Sequence, residues 1–161
     1  MMNDKNTMIH STLEEGYDFF ITDKWSVRHH YKISTFEVPS GFLSEAYEVI
    51  ENDIDNEPRV FHILSDFDCD IEEAELKLKE KVKTGINRRY LDCNEGKLSI
   101  GDDLQVAGRI QWSDKLIDSN FDYFFEIDGK KITIEKFIAM LEEVEGWNFK
   151  FQIIDTTDPI D

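Results

Sequence analysis

Three aspartates that alternate with other residues form the stretch of the sequence best suited to chemistry. They are Asp66, Asp68 and Asp70, within SDFDCDIEE. An EF-hand calcium loop begins with the same alternation, but it also needs a glycine at its sixth position and a glutamate at its twelfth. Ile71 and Lys77 stand at those two positions, so the stretch lacks both the sharp turn and the bidentate ligand.

The aspartate stretch therefore has two interpretations. In the first, Asp66 and Asp68 bind a divalent metal ion. In the second, Asp70 caps the helix that follows, and the other two carboxylates interact favourably with the positive end of the helix dipole. We favour the second, because an extended backbone would hold successive carboxylates of this set roughly 6.6 Å apart, too far to grip one ion.

The histidines and cysteines are weaker candidates for chemistry. His29 and His30 are adjacent in a predicted strand, so their side chains point to opposite faces. His30 could meet His62 if their two strands were neighbours. Cys69 precedes the predicted helix, whose dipole favours a thiolate, while the flanking aspartates oppose one. The sequence has no zinc spacing, nucleophile elbow or glycine-rich phosphate loop, so we assign no catalytic residue and no cofactor.

The net charge of the chain narrows the classes of partner. The 161 residues include 18 basic and 35 acidic side chains, which give a formal net charge of −17. Nucleic acids are bound by clustered lysines and arginines, and an anionic membrane repels an acidic protein. High negative charge keeps a protein soluble, and it also attracts basic proteins. We therefore expect no nucleic acid and no membrane as partner, and a basic protein as the candidate.

The start of the sequence and its apolar runs predict a cytoplasmic protein. The first residues, MMNDKNTMIHSTLEEG, are polar and acidic, and they lack the apolar core of a signal peptide. The apolar runs, such as Phe19-Phe20-Ile21, are far too short to span a membrane. Residues 1–9 are predicted to be a flexible N-terminus, followed by a single domain over residues 10–161.

A first helix is predicted over about residues 70–91. Its apolar stripe consists of Ile71, Ala74, Leu78, Val82 and Ile86. This spacing is typical of one buried helical face. Asp70 and Glu73, three residues apart, resemble a capping box. Acidic residues crowd the start of the segment and basic residues its end, in agreement with the helix dipole.

A second helix is predicted over residues 133–145, starting at Thr133 and stopping at Gly146. The side chains expected to face inward are Ile134, Phe137, Ile138, Leu141 and Val144. After this helix, Trp147 to Ile153 alternate strictly between apolar and polar residues, which predicts a strand with one buried aromatic face. Strand-like segments surround both helices without regular strand–helix alternation. The sequence therefore predicts an α+β fold, a mostly antiparallel sheet with both helices packed on one face.

Two stretches of the sequence form a recognisable combination. The first runs from Phe61 to Leu91 and contains FHILSDFDCDIEE, and the second runs from Gly108 to Asp155 and contains GRIQW and EIDGKKITIEKFIAML. Together they resemble a bacterial domain family of unknown function, over roughly residues 30–158. The resemblance implies a single cytosolic domain, and it supplies no activity, substrate or catalytic residue.

Two functions are compatible with these residues. A non-enzymatic interaction module would present its acidic surface to a basic protein, as an inhibitor, an immunity-like protein or an adaptor does. A divalent-metal-dependent enzyme or metal sensor would use Asp66 and Asp68. We favour the interaction module, because a chain with 35 acidic residues supplies pairs of carboxylates everywhere. Such pairs therefore give no specific sign of catalysis, and the oligomeric state is left open.

Overall fold

A computed structural model of the chain describes residues 16–116 and 118–160. These residues form an α+β fold of two α-helices and nine strands, and the strands lie in three antiparallel sheets. The predicted fold class is confirmed, although the sequence suggested a single sheet. The predicted flexible segment, residues 1–9, lies outside the described residues.

The chain divides into two compact units, each with its own apolar core. Among the described residues, the first unit comprises 16–50, 60–87 and 154–160, and the second comprises 51–59, 88–116 and 118–153. Both units are therefore assembled from separate pieces of the chain.

The first unit is a four-stranded sheet with one helix against it. Its elements are β1 (Tyr17–Thr22), β2 (Arg28–Val38), β3 (Gly41–Glu48), β4 (Val60–Ser65) and α1 (Ile71–Ile86). The strands lie side by side in chain order. Tyr31, Ile33 and Ala46 share one face of the sheet, where they are fully buried with Leu78 and Val82 of α1. Apolar residues recur every two positions along the strands and about every 3.6 positions along the helix, so each element turns its apolar side toward this core.

The ends of α1 are set by polar side chains. The carboxylate of Asp70 accepts a hydrogen bond from the backbone N–H two residues on, at 3.0 Å, so the predicted cap is confirmed. The helix ends at Ile86, earlier than the predicted 91. Asn87 ends it, because its backbone N–H and its side-chain amide both donate to the carbonyl oxygen of Lys83, a group that the last turn leaves without a helical partner.

The second unit contains two small sheets and one helix. Its elements are β5 (Leu91–Asn94), β6 (Lys97–Ile100), β7 (Arg109–Trp112), β8 (Tyr123–Ile127), β9 (Lys130–Thr133) and α2 (Ile134–Leu141). β5 and β6 form a hairpin, and the other strands form a sheet in the order β7-β8-β9. The Thr133 hydroxyl caps α2 by accepting the backbone N–H of Lys136 at 3.2 Å. Ile127, Ile132 and Met140 lie in the core.

The two helices lie against different sheets. α1 contacts β2, β3 and β4, whereas α2 contacts β6, β8 and β9. The expected arrangement, with both helices on one face of one sheet, therefore does not hold. The second helix is also shorter than the predicted 133–145, because a 3-10 turn over Glu142–Val144 replaces its last turn.

The predicted final strand is wrong in the described chain. Residues 147–153 are assigned to no helix or strand. Their apolar side chains are exposed, with 66% of Trp147, 90% of Phe149, 68% of Phe151 and 69% of Ile153 open to solvent. The alternation is thus present without the burial that it normally signals.

Candidate functional site

The three predicted aspartates are close to one another only because they are neighbours in the sequence. Asp66, Asp68 and Asp70 are all exposed, and Asp70 is engaged as the cap of α1. The backbone carbonyl of Asp66 accepts the N–H of Cys69 at 3.1 Å, which forms a turn before the helix. Within the described ranges, no three His, Cys, Asp or Glu side chains are arranged to hold a metal ion. A metal site at Asp66 and Asp68 stays a prediction without support from a contact.

The suggested approach of His30 to His62 is wrong. The sheet order places β3 between their strands. Each ring instead contacts a carboxylate on a neighbouring strand, His30 with Asp18 at 2.9 Å and His62 with Glu45 at 3.0 Å. His29 and His30 point to opposite faces, as predicted. The ring of His29 contacts Glu48, which lies opposite the buried Tyr31. His30 stacks on Phe20, its partner on β1.

The cluster around His29 is a site that the sequence did not reveal. The Nε2 atom of His29 lies 2.8 Å from Asp23, and its Nδ1 atom lies 3.5 Å from Glu48. Both carboxylates are buried, at 6% and 7% exposure. The turn after β1 supplies Asp23 and the end of β3 supplies Glu48, so residues far apart in sequence meet only once the sheet has formed.

The chemistry open to this cluster is limited by its hydrogen bonds. Burial raises the pKa of Asp23, but hydrogen bonds from His29 and from two backbone N–H groups of the following loop outweigh it and lower the pKa overall. Both ring nitrogens of His29 face a carboxylate, so neither is directed at a substrate. A general base needs a nitrogen within reach of the proton that it removes. The cluster therefore ties the β1–β2 turn to β3.

A second polar cluster lies beneath α1. The carboxylate of Glu75 is 6% exposed and accepts hydrogen bonds from the hydroxyls of Tyr17 and Thr35. Thr35 is also bonded to the hydroxyl of Ser44, at 2.9 Å. Burial, together with the charge of Glu75 and the bond to it, raises the pKa of Tyr17. These groups satisfy one another, as buried polar groups must.

The second unit, in contrast, has an open groove along α2. Its volume is about 430 Å³. It is lined by Phe121, Ile134, Glu135, Ile138, Ala139 and Glu142. Ile138 is 55% exposed and Phe121 is 42% exposed, so the groove presents apolar side chains to solvent. The groove is a shallow, open depression rather than an enclosed cavity, so it is unlike the concave sites that bury most of a small ligand.

The carboxylates of the groove differ in their environment. Glu135 accepts the backbone N–H of Asn120 at 2.8 Å and the hydroxyl of Ser119 at 2.7 Å. These bonds lower the pKa of Glu135, the backbone bond most, and they hold the loop before β8 against the helix. Glu142 is exposed at the end of α2. The groove therefore combines an apolar floor with two negative charges.

Part of the signal for this groove is visible in the sequence. The predicted inward stripe of α2 included Ile138 and Leu141, but both are exposed, at 55% and 37%. The stripe is wider than the core requires, and an apolar excess on one helix is a pattern typical of a binding surface. The positions of these residues in the sequence do not show which apolar side chains of α2 the sheet leaves exposed.

Comparison with known proteins divides the chain near its middle. Residues 14–87 match a domain of unknown function (DUF7686), and residues 88–158 match another domain of unknown function (DUF7713). Each of these two matches covers somewhat less than half of the chain. The border after residue 87 is also a border between the two structural units, and the DUF7713 match contains the groove along α2. The prediction of one domain over residues 10–161 stays a prediction.

The comparisons assign no activity to either part. No curated protein and no solved structure matches the chain. Within the part of the chain that the structure describes, no helix has the length and apolar character needed to cross a membrane.

Proposed function

We propose that this chain is a non-enzymatic protein-interaction module, which binds a basic, amphipathic segment of a partner protein in the groove along α2. The observation that carries the proposal is the composition of the groove, where exposed Ile138 and Phe121 lie beside the carboxylates of Glu135 and Glu142. An inhibitor, an immunity-like protein or an adaptor would work in this way.

The two kinds of side chain in the groove would have separate tasks. Apolar side chains of the partner would cover Ile138 and Phe121 and supply most of the affinity. Lysines or arginines flanking them would meet Glu135 and Glu142, which fixes the orientation of the segment. The net charge of −17 would steer a basic partner toward the surface and speed its association.

The use of polar groups elsewhere favours recognition over catalysis. The rings of His29, His30 and His62 each contact carboxylates of the same unit. The hydroxyls beneath α1 bond to Glu75. The chain thus spends these polar side chains on internal contacts, while it leaves apolar side chains exposed in the groove.

Binding of designed peptides tests the proposal. The probes are two labelled helical peptides, one with a leucine face and lysines elsewhere, the other with glutamates in place of the lysines. We expect the full-length protein to bind the lysine peptide and not the glutamate peptide in fluorescence anisotropy. Because charge contributes, affinity should fall as salt is raised. Ile138→Ala should weaken binding about fivefold, which corresponds to roughly 1 kcal/mol of lost apolar contact.

Two matched variants separate the groove from general charge attraction. Leu76→Ala removes an apolar side chain of α1 that is 61% exposed, and it should leave the affinity unchanged. Glu142→Gln should weaken binding, whereas Glu80→Gln, which removes an equal charge from the exposed side of α1, should not. Equal losses for each groove variant and its control would contradict the proposal, because binding would then not be located in the groove.

A further inference from the structure

The segment 147–153 has the residue pattern of a β-strand, but its apolar side chains are exposed to solvent. Trp147, Phe149, Phe151 and Ile153 alternate with polar residues, and each is at least 66% exposed. Single apolar side chains are common on protein surfaces, but a continuous alternating run of four is not. The run presents both an apolar face and a row of backbone groups that can join a sheet.

The sheet of the second unit has one edge that can receive such a strand. The outer edge of β9 is already used, because Lys131 donates to the carbonyl of Asp55 and Glu57 donates to the carbonyl of Gly129, both at 2.9 Å. β7 pairs with β8, and among the described residues no second strand lies beside it. Ile110 and Trp112 of β7 are 56% and 70% exposed.

The exposed side chains of β7 lie on a single face. Ile110 and Trp112 are two residues apart, so they point to the same side of the sheet. Ile110 is opposite Phe125 in the register, and Phe125 packs edge-on against Phe137 of α2. An added strand would therefore extend an apolar face that α2 already covers in part. An open edge with exposed apolar side chains is a site for pairing with another chain.

We propose that residues 147–153 of one copy pair with the β7 edge of a second copy, and that the second copy returns the same contact. Each chain carries one strand and one receiving edge, so two copies related by a two-fold axis satisfy both edges and close the assembly. This proposal stands on the β7 edge and the segment, and it does not rest on the function proposed for the groove.

The apolar area that the dimer could bury is large enough for a stable interface. A buried aromatic side chain covers about 150–250 Å². Scaled by the exposed fractions of the four apolar side chains of the segment, Ile110 and Trp112, each copy would bury at most on the order of 800 Å². The upper bound of roughly 1,600 Å² for the pair reaches the size of a standard specific interface.

The charges of the two strands are small beside the net charge of the chain. The segment contains Lys150 and β7 contains Arg109, and neither contains an acidic residue, so these two positive charges repel each other weakly. Most of the repulsion between copies comes from the rest of a chain of net charge −17, and salt screens both contributions. The dimer should become tighter as salt is raised, the opposite of the dependence expected for peptide binding in the groove.

Analytical ultracentrifugation of the full-length protein tests the proposal. We expect a species of twice the 18.9 kDa chain mass, stabilised by salt. Phe149→Lys and Ile110→Lys should each raise the dissociation constant about tenfold or more, because they place a charge in the apolar junction. Leu76→Lys changes net charge equally at a side chain of α1 that is 61% exposed, and it should leave dimerisation unchanged.

A mixture of the two interface variants shows whether the strand is exchanged. A heterodimer of Phe149→Lys with Ile110→Lys contains one junction that carries both lysines and one junction that is intact. It should therefore form more readily than either homodimer. A wild-type protein that is monomeric would overturn the proposal. Hydrogen exchange would then show whether residues 147–153 are protected by pairing with β7 of their own chain or are unprotected and free to bind another protein. Dimerisation equal to wild type in both variants would overturn it as well.

Discussion

The buried carboxylate of Glu75 shows how individual side chains hold the first unit together. Its side chain lies beneath α1 and accepts hydrogen bonds from Tyr17 and Thr35. A carboxylate that loses such donors while it stays buried is strongly destabilising. The stability of this unit should therefore depend on the hydroxyl of Tyr17, and the dependence should vary with pH.

Tyr17→Phe tests this dependence. Burial, with the charge of Glu75, raises the pKa of Tyr17 above its usual value near 10, so the folded state favours the neutral phenol. This contribution is fully present below about pH 10 and is lost as the pH rises toward the folded pKa. We expect Tyr17→Phe to lower the free energy of unfolding by about 1–3 kcal/mol at neutral pH. It should also flatten the fall in stability above pH 10, which urea unfolding across that range measures.

The control for this variant is Tyr47→Phe. Tyr47 lies on the opposite face of the same sheet and is 45% exposed, so its hydroxyl makes no comparable buried contact with Glu75. This variant should keep both the neutral-pH stability and the alkaline fall of the wild type. Parallel alkaline curves for wild type and Tyr17→Phe would show that the network does not cause the fall.

Residue-scale sites of this kind could not be predicted from the sequence. Asp23, His29 and Glu48 meet through the register of three strands, and their spacing along the chain matches no recurrent pattern. The acidic stretch at Asp66 was conspicuous for the opposite reason, because its members are close in sequence. Proximity in sequence suits capping and turns, whereas a converging site needs the tertiary fold.

At the scale of elements, predictability follows the completeness of the local signal. α1 was predictable because its stripe, its cap at Asp70 and its charge distribution agree. The prediction of a strand over 147–153 is wrong because alternation shows that a segment has an apolar face, but not that another element of the same chain covers this face. The inward orientation predicted for Ile138 on α2 is wrong for the same reason.

The β2–β3 hairpin offers a test of an element through its glycine. Gly41 has a φ of +146°, and a Cβ at this position would clash with the carbonyl oxygen of Ser65 on β4. Gly41→Ala should cost about 2–6 kcal/mol, the sum of a strained backbone and of overpacking against a neighbouring strand. Chemical denaturation of the purified variant measures the loss.

Gly96→Ala is the matched control for this substitution. Gly96 has a positive φ of +80°, but an added Cβ would meet nothing within 4 Å. Its cost should be limited to about 1 kcal/mol of backbone strain. Similar losses for the two variants would contradict the close approach of β4 to Gly41.

At the scale of the whole molecule, connectivity links the two units. Residues 51–59 belong to the second unit but join β3 to β4 of the first, and residues 154–160 belong to the first but follow the second. Unfolding of the first unit would release both ends of 51–59 and raise the entropic cost of keeping this segment beside β9. We therefore expect the described chain to unfold in one transition, in line with the predicted single domain.

The three tryptophans can report on the units separately. Trp25 lies in the first unit, and Trp112 and Trp147 lie in the second. Leu78→Ala creates a cavity in the first core, where Leu78 is fully buried, and should cost about 2–5 kcal/mol. Leu78→Ala is measured in two backgrounds: in Trp25→Phe only the tryptophans of the second unit report, and in Trp112→Phe/Trp147→Phe only Trp25 reports. At one fixed protein concentration, Leu78→Ala should lower the urea midpoint by the same amount in both backgrounds. Movement of the Trp25 signal alone would show two units that unfold independently, because a cavity in one core would then leave the other untouched.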